Sequence, residues 1–546
     1  MVEILSKIQR QIQSSRKHRI GLVVLVAMVL ATIWKLLLFN EIMQSSPKLP
    51  TYSDMPNIPQ DATLPEDAAF STELKTKLCS ELPISESFLT MTGSPAFIDI
   101  SPPYKISAGG SVCVRVVVPA FSTNTSLSYA PFPGAPWDSI LVDMVGNNTG
   151  ISIPVVLQPS NRAQNYIRDS THIYEADVVL RDADTYTPTG YIEYRNGLWN
   201  NEEHIERPPM IPEQLLVNSL VTVEDGALND FSLNNYLNLP LCTEPNADGR
   251  WISVDKLPFN TTLAPDNYNR VWLPYSCQLQ PYTYQEFAQC LQQKHSLIHW
   301  FGDSNTRRAL KKITTFGQWC SEPNRINSVQ CICHDSAERF GVYNSNSPVI
   351  PIDIDSAMAV SSPALDGNIG TVPANKSRII MFRWGGLTPR NNPPWPDTFS
   401  TNFTQQMGSP SVAIFGLINW DTAFTTRSYF IQQVELLADY ILHNYSNQTQ
   451  ITIRTGQYYC CTYDQVPNFK RMYTRLRNQY FNQYLIDILQ AKLGTNYSIS
   501  IWDVSQIAER RPYAAREEMA LACPSNHVRA ELVDIENTLL MNHLCN

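Results

Sequence analysis

The chain has 546 residues, 43% of them apolar and 10% aromatic, with a net charge of −9 and 12 cysteines. This apolar content excludes a disordered chain, and the length predicts roughly three domain-sized units with at least one large core. The acidic balance argues against nucleic acid as a partner, because phosphate binding needs clustered cationic surface.

Residues 1–19 carry Lys7, Arg10, Arg16, Lys17 and Arg19 against Glu3, and read as a cytosolic tail. Residues 20–39 hold a single charge, Lys35. This is the length a helix needs to cross ~30 Å of hydrocarbon. The basic flank comes first and no small-residue cleavage site follows, so the run predicts a transmembrane signal anchor rather than a cleaved signal peptide. The expected product is a single-pass type II membrane protein of the secretory pathway, in the Golgi, with everything from residue 40 in the lumen. All the cysteines lie beyond this run, as do sequons at Asn124, Asn147, Asn260, Asn375, Asn402, Asn444, Asn447 and Asn496. Both features fit disulfides in an oxidising, glycosylating compartment. A zinc site at Cys320, Cys331, Cys333 and His334 is the rival reading, but its spacing matches no standard zinc module, and no metal is expected.

Residues 40–91 are rich in Pro, Ser and Asp and read as a stem. From 92 to 225 the texture changes to short β-branched runs broken by Gly, Pro and Asn, with Val112, Val114 and Val116 alternating with Cys113 and Arg115. Strands at that spacing without helices predict an immunoglobulin-like β-sandwich. Residues 226–276 read as a linker. From 277 to 546 strand and helix alternate. The expected strands are 297–301, 378–384, 412–417, 451–454 and 499–502; the expected helices are 305–315, 426–442, 469–493 and 528–544. This alternation predicts an α/β domain with a doubly wound, mostly parallel sheet, whose site lies beyond the carboxyl ends of the strands.

One segment places chemistry at that edge. In Leu297-Ile-His-Trp-Phe-Gly302-Asp303-Ser304-Asn305 an apolar strand runs through a glycine turn to a serine at the start of a helix. There a hydroxyl projects from the sheet edge, and free amide groups of the first helical turn can face an oxyanion. A Ser or Asp at such a point is also an ordinary helix cap.

The segment resembles the approach to the nucleophile in the GDSL or SGNH superfamily, specifically the PC-esterase type of the neurexophilin and PC-esterase domain family and the trichome-birefringence-like proteins. Cys290-Leu-x-x-Lys294 before it, and Asn526-His527-Val528 followed by the ending ENTLLMNHLC with Cys545 second from last, are similar to the same group. The resemblance covers residues 92–546. It implies an SGNH-like fold behind an immunoglobulin-like sandwich.

It also implies roles. Ser304 matches the nucleophile and His527 its base. Gly385 and Gly386, after the strand RIIMFRW, are candidate oxyanion donors, and Asn419 is a candidate for the side-chain donor, one residue out of the usual Gly-x-Asn-Asp spacing. Turn formation and helix capping are the plain alternatives for these three. The superfamily's Asp three residues before the His is here Pro524, so Asp503, after the strand ISIW, is the candidate third member, with capping as its alternative. The implied function is transfer of an acyl group, on the resemblance acetyl, to glycan hydroxyls through a serine acyl-enzyme. No bound cofactor is expected, and acetyl-CoA is a candidate donor. Hydrolysis by the same machinery and a non-catalytic, neurexophilin-like adhesion module are the alternatives.

Overall fold

The computed structural model describes residues 77–91, 94–120, 136–160, 171–195, 213–217, 219–225, 232–246, 248–317, 349–354, 360–361, 372, 376–387, 395, 401–458, 474–512, 515–516 and 527–546. Two short helices come first, α1 (Lys77–Glu81) and α2 (Glu86–Leu89). Strands follow: β1 (Phe97–Ile100), β2 (Lys105–Ser107), β3 (Gly110–Val118), β4 (Ser139–Gly146), β5 (Ser152–Pro154), β6 (Gln158–Pro159), β7 (His172–Leu180), β8 (Asp184–Tyr194), β9 (Glu213–Gln214), β10 (Leu216–Val217) and β11 (Val221–Glu224). They build a five-stranded sheet, β10-β1-β3-β7-β6, and a six-stranded sheet, β2-β11-β8-β4-β5 with β9 on β8. Val112, Val114 and Val116 from one sheet and Val142 and Met144 from the other share one apolar core.

The far face of β3 is buried too, and this changes the reading of the expected stem. Its last residues, from 77 onward, lie on the sheet: Cys79 is disulfide-bonded to Cys113, and the Arg115 guanidinium donates to the carbonyls of Cys79 (3.1 Å), Leu82 (2.7 Å) and Pro83 (3.0 Å) while pairing with Glu175 (2.8 Å). A buried arginine needs this many acceptors, and the carbonyls of α1 and of the two residues after it supply them.

The expected linker is also not one. β12 (Gly249–Ser253) and β13 (Arg270–Pro274) form an antiparallel ribbon with Trp251 opposite Trp272 and Ile252 opposite Val271. Alternate side chains of a strand point to opposite faces. Ile252, Val271 and Leu273 therefore enter the core of the two-sheet region, and Trp251 and Trp272 enter the core of the α/β region.

The α/β region contains α3 (Tyr284–Lys294), β14 (Leu297–Gly302), α4 (Ser304–Thr314), β15 (Val349–Ile354), β16 (Val360–Ser361), β17 (Ser377–Arg383), α5 (Thr401–Gln406), β18 (Val412–Gly416), α6 (Ile418–Phe424), α7 (Arg427–Asn444), β19 (Gln450–Arg454), α8 (Arg475–Leu493), β20 (Ile499–Trp502), α9 (Val504–Glu509) and α10 (Ala530–Cys545). Its seven-stranded sheet runs β16-β15-β17-β14-β18-β19-β20. The five strands from β17 to β20 are parallel, and β15 and β16 are antiparallel additions at one edge. The strand reading does not anticipate β15, whose Pro351 cannot donate to a ladder and reads against a strand.

The expected fold class is corrected accordingly. The chain is mixed α/β with several sheets, in place of an SGNH-like doubly wound sheet behind an immunoglobulin-like sandwich and a transmembrane helix. The two-sheet region has more strands than the roughly seven to nine of an immunoglobulin domain, the main sheet is mixed, and the ribbon belongs to both cores. Residues 1–19 and 20–39 lie outside the described residues, and among the described residues no helix is long and apolar enough to cross a membrane.

Three disulfides, Cys79–Cys113, Cys242–Cys277 and Cys290–Cys545, account for all the cysteines among the described residues. The third joins α3 to the end of α10. The cluster Cys320 to His334 lies outside the described residues.

Because the ribbon feeds both cores, Trp272→Ala should cost about 3–5 kcal/mol and Ile252→Ala about 2–5 kcal/mol, both lowering the midpoint of one cooperative transition in calorimetry. Two transitions, each moved by only one of the variants, would show that the cores melt independently.

Candidate active site

All of β14 is buried between its parallel neighbours β17 and β18, and it ends at Gly302, which lies opposite Gly416, the last residue of β18. This pair of glycines is a packing requirement. A Cβ at Gly302 would fall 2.4 Å from Thr306 Cβ, and one at Gly416 2.4 Å from Thr306 Oγ1. The fully buried Thr306 thus sits against both strand ends, its hydroxyl 3.1 Å from the Gly416 carbonyl. The first turn of α4 is thereby drawn onto the carboxyl edge of the sheet.

Asp303 caps α4. Its carboxylate accepts from the amides of Asn305 (3.0 Å) and Thr306 (3.1 Å), and its carbonyl accepts from the Arg307 amide (2.9 Å). The expectation of several free first-turn amides therefore narrows. The Ser304 amide is the one that donates to no acceptor among the described residues.

Ser304, half-buried, opens the helix, and its Oγ lies 2.7 Å from Nε2 of His527, which is also half-buried. His527 comes from the other end of the chain, 3 residues before α10 begins. That helix is fastened to α4 and α3: Asp534 pairs with Lys312 of α4 (2.7 Å) and accepts from the Tyr284 hydroxyl of α3 (2.6 Å), and Asn537 donates to the Ala309 carbonyl of α4 (3.0 Å). The disulfide Cys290–Cys545 holds its far end.

Asn419, at the start of α6, is buried and bridges two strand ends. Its Nδ2 donates to Asp303 Oδ2 (3.0 Å), and its Oδ1 accepts from the Gln457 amide (2.9 Å) beyond β19. Gly385 and Gly386 follow β17, the other neighbour of β14, just after Trp384, whose amide still donates to the Gly302 carbonyl (3.0 Å). Gly386 has φ 103°, and a Cβ there would meet Asp421 Oδ2 at 2.6 Å, so glycine is required.

Asp503 is not brought to His527. It caps α9, accepting from the Ser505 amide (3.1 Å) and hydroxyl (2.6 Å), from the Gln506 side chain (2.6 Å), and from the Thr455 hydroxyl (3.0 Å). The strand ISIW does deliver it to the carboxyl edge, but its oxygens are engaged by its own helix.

The sequence reading did not single out Glu536, Arg454 or Gln457. Glu536, buried on α10, pairs with Arg454 (2.8 Å) and accepts from the Gln457 side chain. Burial pushes its carboxyl above the ordinary glutamate range, and the Arg454 guanidinium opposes that rise. The available signal was an acid set among the apolar residues of the last helix, which also carries Glu531 and Asp534.

The glycine pair yields a test. Gly416→Ala should lower stability by about 1–3 kcal/mol through overpacking against Thr306, measured by denaturant unfolding. The double variant Gly416→Ala/Thr306→Ala should recover part of the loss, because it removes the Oγ1 and Cγ2 that the new Cβ meets.

No family model matches the chain, and no curated protein matches it. Among solved structures, a copper-bound variant of FetP from uropathogenic Escherichia coli aligns over 24% of this chain and 99% of its own at 14% identity. Its TM-score of 0.12 is too low for an argument about fold or chemistry.

Proposed function

We propose that the chain is a serine-dependent O-acyltransferase, with acetyl as the acyl group and glycan hydroxyls as acceptors. The observation that carries this reading is the 2.7 Å contact between Ser304 Oγ and His527 Nε2 at the carboxyl ends of the parallel strands. The resemblance of the Gly302-Asp303-Ser304 and Asn526-His527-Val528 segments to PC-esterases supplies the reaction class.

With Nε2 unprotonated, the Ser304 hydroxyl donates to it. Attack of Oγ on the acyl carbonyl carbon moves the hydroxyl proton to His527. The resulting oxyanion meets the Ser304 amide, the type of donor that stabilises a tetrahedral intermediate. Collapse expels the donor's leaving group, such as the thiolate of coenzyme A, which takes the proton from His527. A sugar hydroxyl then attacks the acyl-serine, giving its proton to His527, and collapse of this second intermediate breaks the bond to Ser304 Oγ, which takes the proton back from His527 as the sugar ester leaves. Hydrolysis follows the same course with water as the acceptor. Gly385 and Gly386, beside the strand end, are the proposed second source of oxyanion donors.

The three disulfides support an oxidising compartment, and the exposed sequon residues Asn147, Asn260, Asn447 and Asn496 fit exposure to the glycosylation machinery. We therefore propose a lumenal or extracellular location.

Ser304→Ala and His527→Ala should each abolish acyl transfer, by on the order of 10⁴-fold in kcat, with secretion unchanged. Fluorophosphonate should label Ser304 in the wild type, and an unlabelled wild type would leave only the adhesion-module reading. Asp503→Ala should behave differently. Losing a helix cap costs about 1 kcal/mol of stability, visible in the thermal midpoint, while labelling of Ser304 should stay within about threefold, since under ~1 kcal/mol of barrier is at stake.

A further inference from the structure

A line of hydrogen bonds joins the two-sheet region to the nucleophile. Glu193, buried on β8, accepts from the Tyr458 hydroxyl (2.9 Å) at one oxygen, and from the Ser139 hydroxyl (2.8 Å) and the Arg475 amide (3.2 Å) at the other. Tyr458 lies four residues past the end of β19, and the residue before it, Gln457, donates its amide to Asn419. Asn419 in turn donates to Asp303, whose carboxylate caps the helix that begins at Ser304. The segment has no slack at its start. A Cβ at Gly456 would lie 2.8 Å from both Asn478 Oδ1 and Ile418 Cγ2, and the Gly456 amide donates to Asn482 Oδ1 (2.7 Å).

We propose that Glu193 and Tyr458 are positioning residues for the Ser304 site, so that the two-sheet region is a fixed part of the catalytic frame and not a separate binding module. This rests on reading Ser304 as the nucleophile.

A carboxylate buried among two hydroxyls and one amide, with its charge only partly offset by the Arg475 guanidinium, is an expensive device for stability alone, because an apolar side chain would pack without the burial penalty. Burial does push the Glu193 carboxyl up. What a carboxylate supplies that an apolar residue lacks is two oriented acceptors, one for Tyr458 and one for the start of α8. Together they fix where the β19 exit segment lies, and with it the amide that Asn419 needs.

The test uses the full chain and the rate at which a fluorophosphonate modifies Ser304, taken per folded molecule below each variant's melting midpoint. Tyr458→Phe and Glu193→Ala should each slow modification by roughly three- to tenfold, the worth of one hydrogen bond at the reacting group. In transfer assays they should lower kcat and leave the KM for acceptor unchanged. Glu193→Gln, which keeps an acceptor for Tyr458, should restore most of the rate lost in Glu193→Ala. Ser139→Ala, a smaller change at the other oxygen, should fall between wild type and Tyr458→Phe. Wild-type rates in Tyr458→Phe, or losses that track only the fraction unfolded, would overturn the proposal. A wild type that does not react at Ser304 would instead overturn the functional reading beneath it.

Discussion

The strict alternation of side chains along a strand is the constraint on which the rest of this protein depends. In the ribbon of β12 and β13 it sends Ile252, Val271 and Leu273 one way and Trp251 and Trp272 the other, so a single two-stranded element is interior to two cores. Neither core can shift without exposing part of the ribbon. Polar contacts follow the same seam: Trp251 donates its indole N–H to the Ile507 carbonyl (2.8 Å), and the buried Arg511 pairs with Asp266 (3.1 Å). Buried charges of this kind add little net stability, but removing either partner is costly, so they favour one alignment over others.

That fixed alignment explains how residues more than two hundred positions apart form one site. Ser304 is placed by Asp303 and by two glycines that admit Thr306 between strand ends. His527 is placed by a helix whose contacts run to α3 and α4 and whose last turn is tied by Cys290–Cys545. The 2.7 Å contact is the meeting of these two independently anchored parts. Asn419 and Gln457 add a lateral tie across the ends of the strands, so Asp303, the cap of α4, is held from the side as well as by its own helix.

Much of the α/β region was legible in local pattern. The strands at 297, 412, 451 and 499 lie within one or two residues of their expected limits, as do the helices that begin at Ser304 and Arg427. Each is a run whose period and caps are encoded nearby: Asp303 before α4, Thr426 before α7. The placement of Ser304 was legible for a related reason, since a serine two residues past the glycine that ends a strand has few places to point. The failures were of another kind. Asp503 lies at the sheet edge as its position in sequence suggests, but which group its oxygens meet depends on Ser505, Gln506 and Thr455, a competition that sequence spacing does not rank. β15 is hidden by its proline, and residues 226–276 read as a linker because a strand split between two cores shows no single apolar face.

By itself, then, the sequence determined the elements whose signals are local: the parallel strands, the capped helices, the turn that presents Ser304 and the candidacy of His527. Hydrophobic period and capping chemistry act over a few residues, and they can be read there. Tertiary structure alone decided what depends on partners far along the chain. It decided that β15 and β16 extend the sheet antiparallel, that residues from 77 onward dock on β3 through Arg115, and that Cys290 pairs with Cys545. It decided also that Asp503 serves a helix and that Asn419 serves Asp303. Burial, disulfide pairing and competition for a hydrogen-bond acceptor are set by which surfaces meet, and a linear pattern leaves that meeting open.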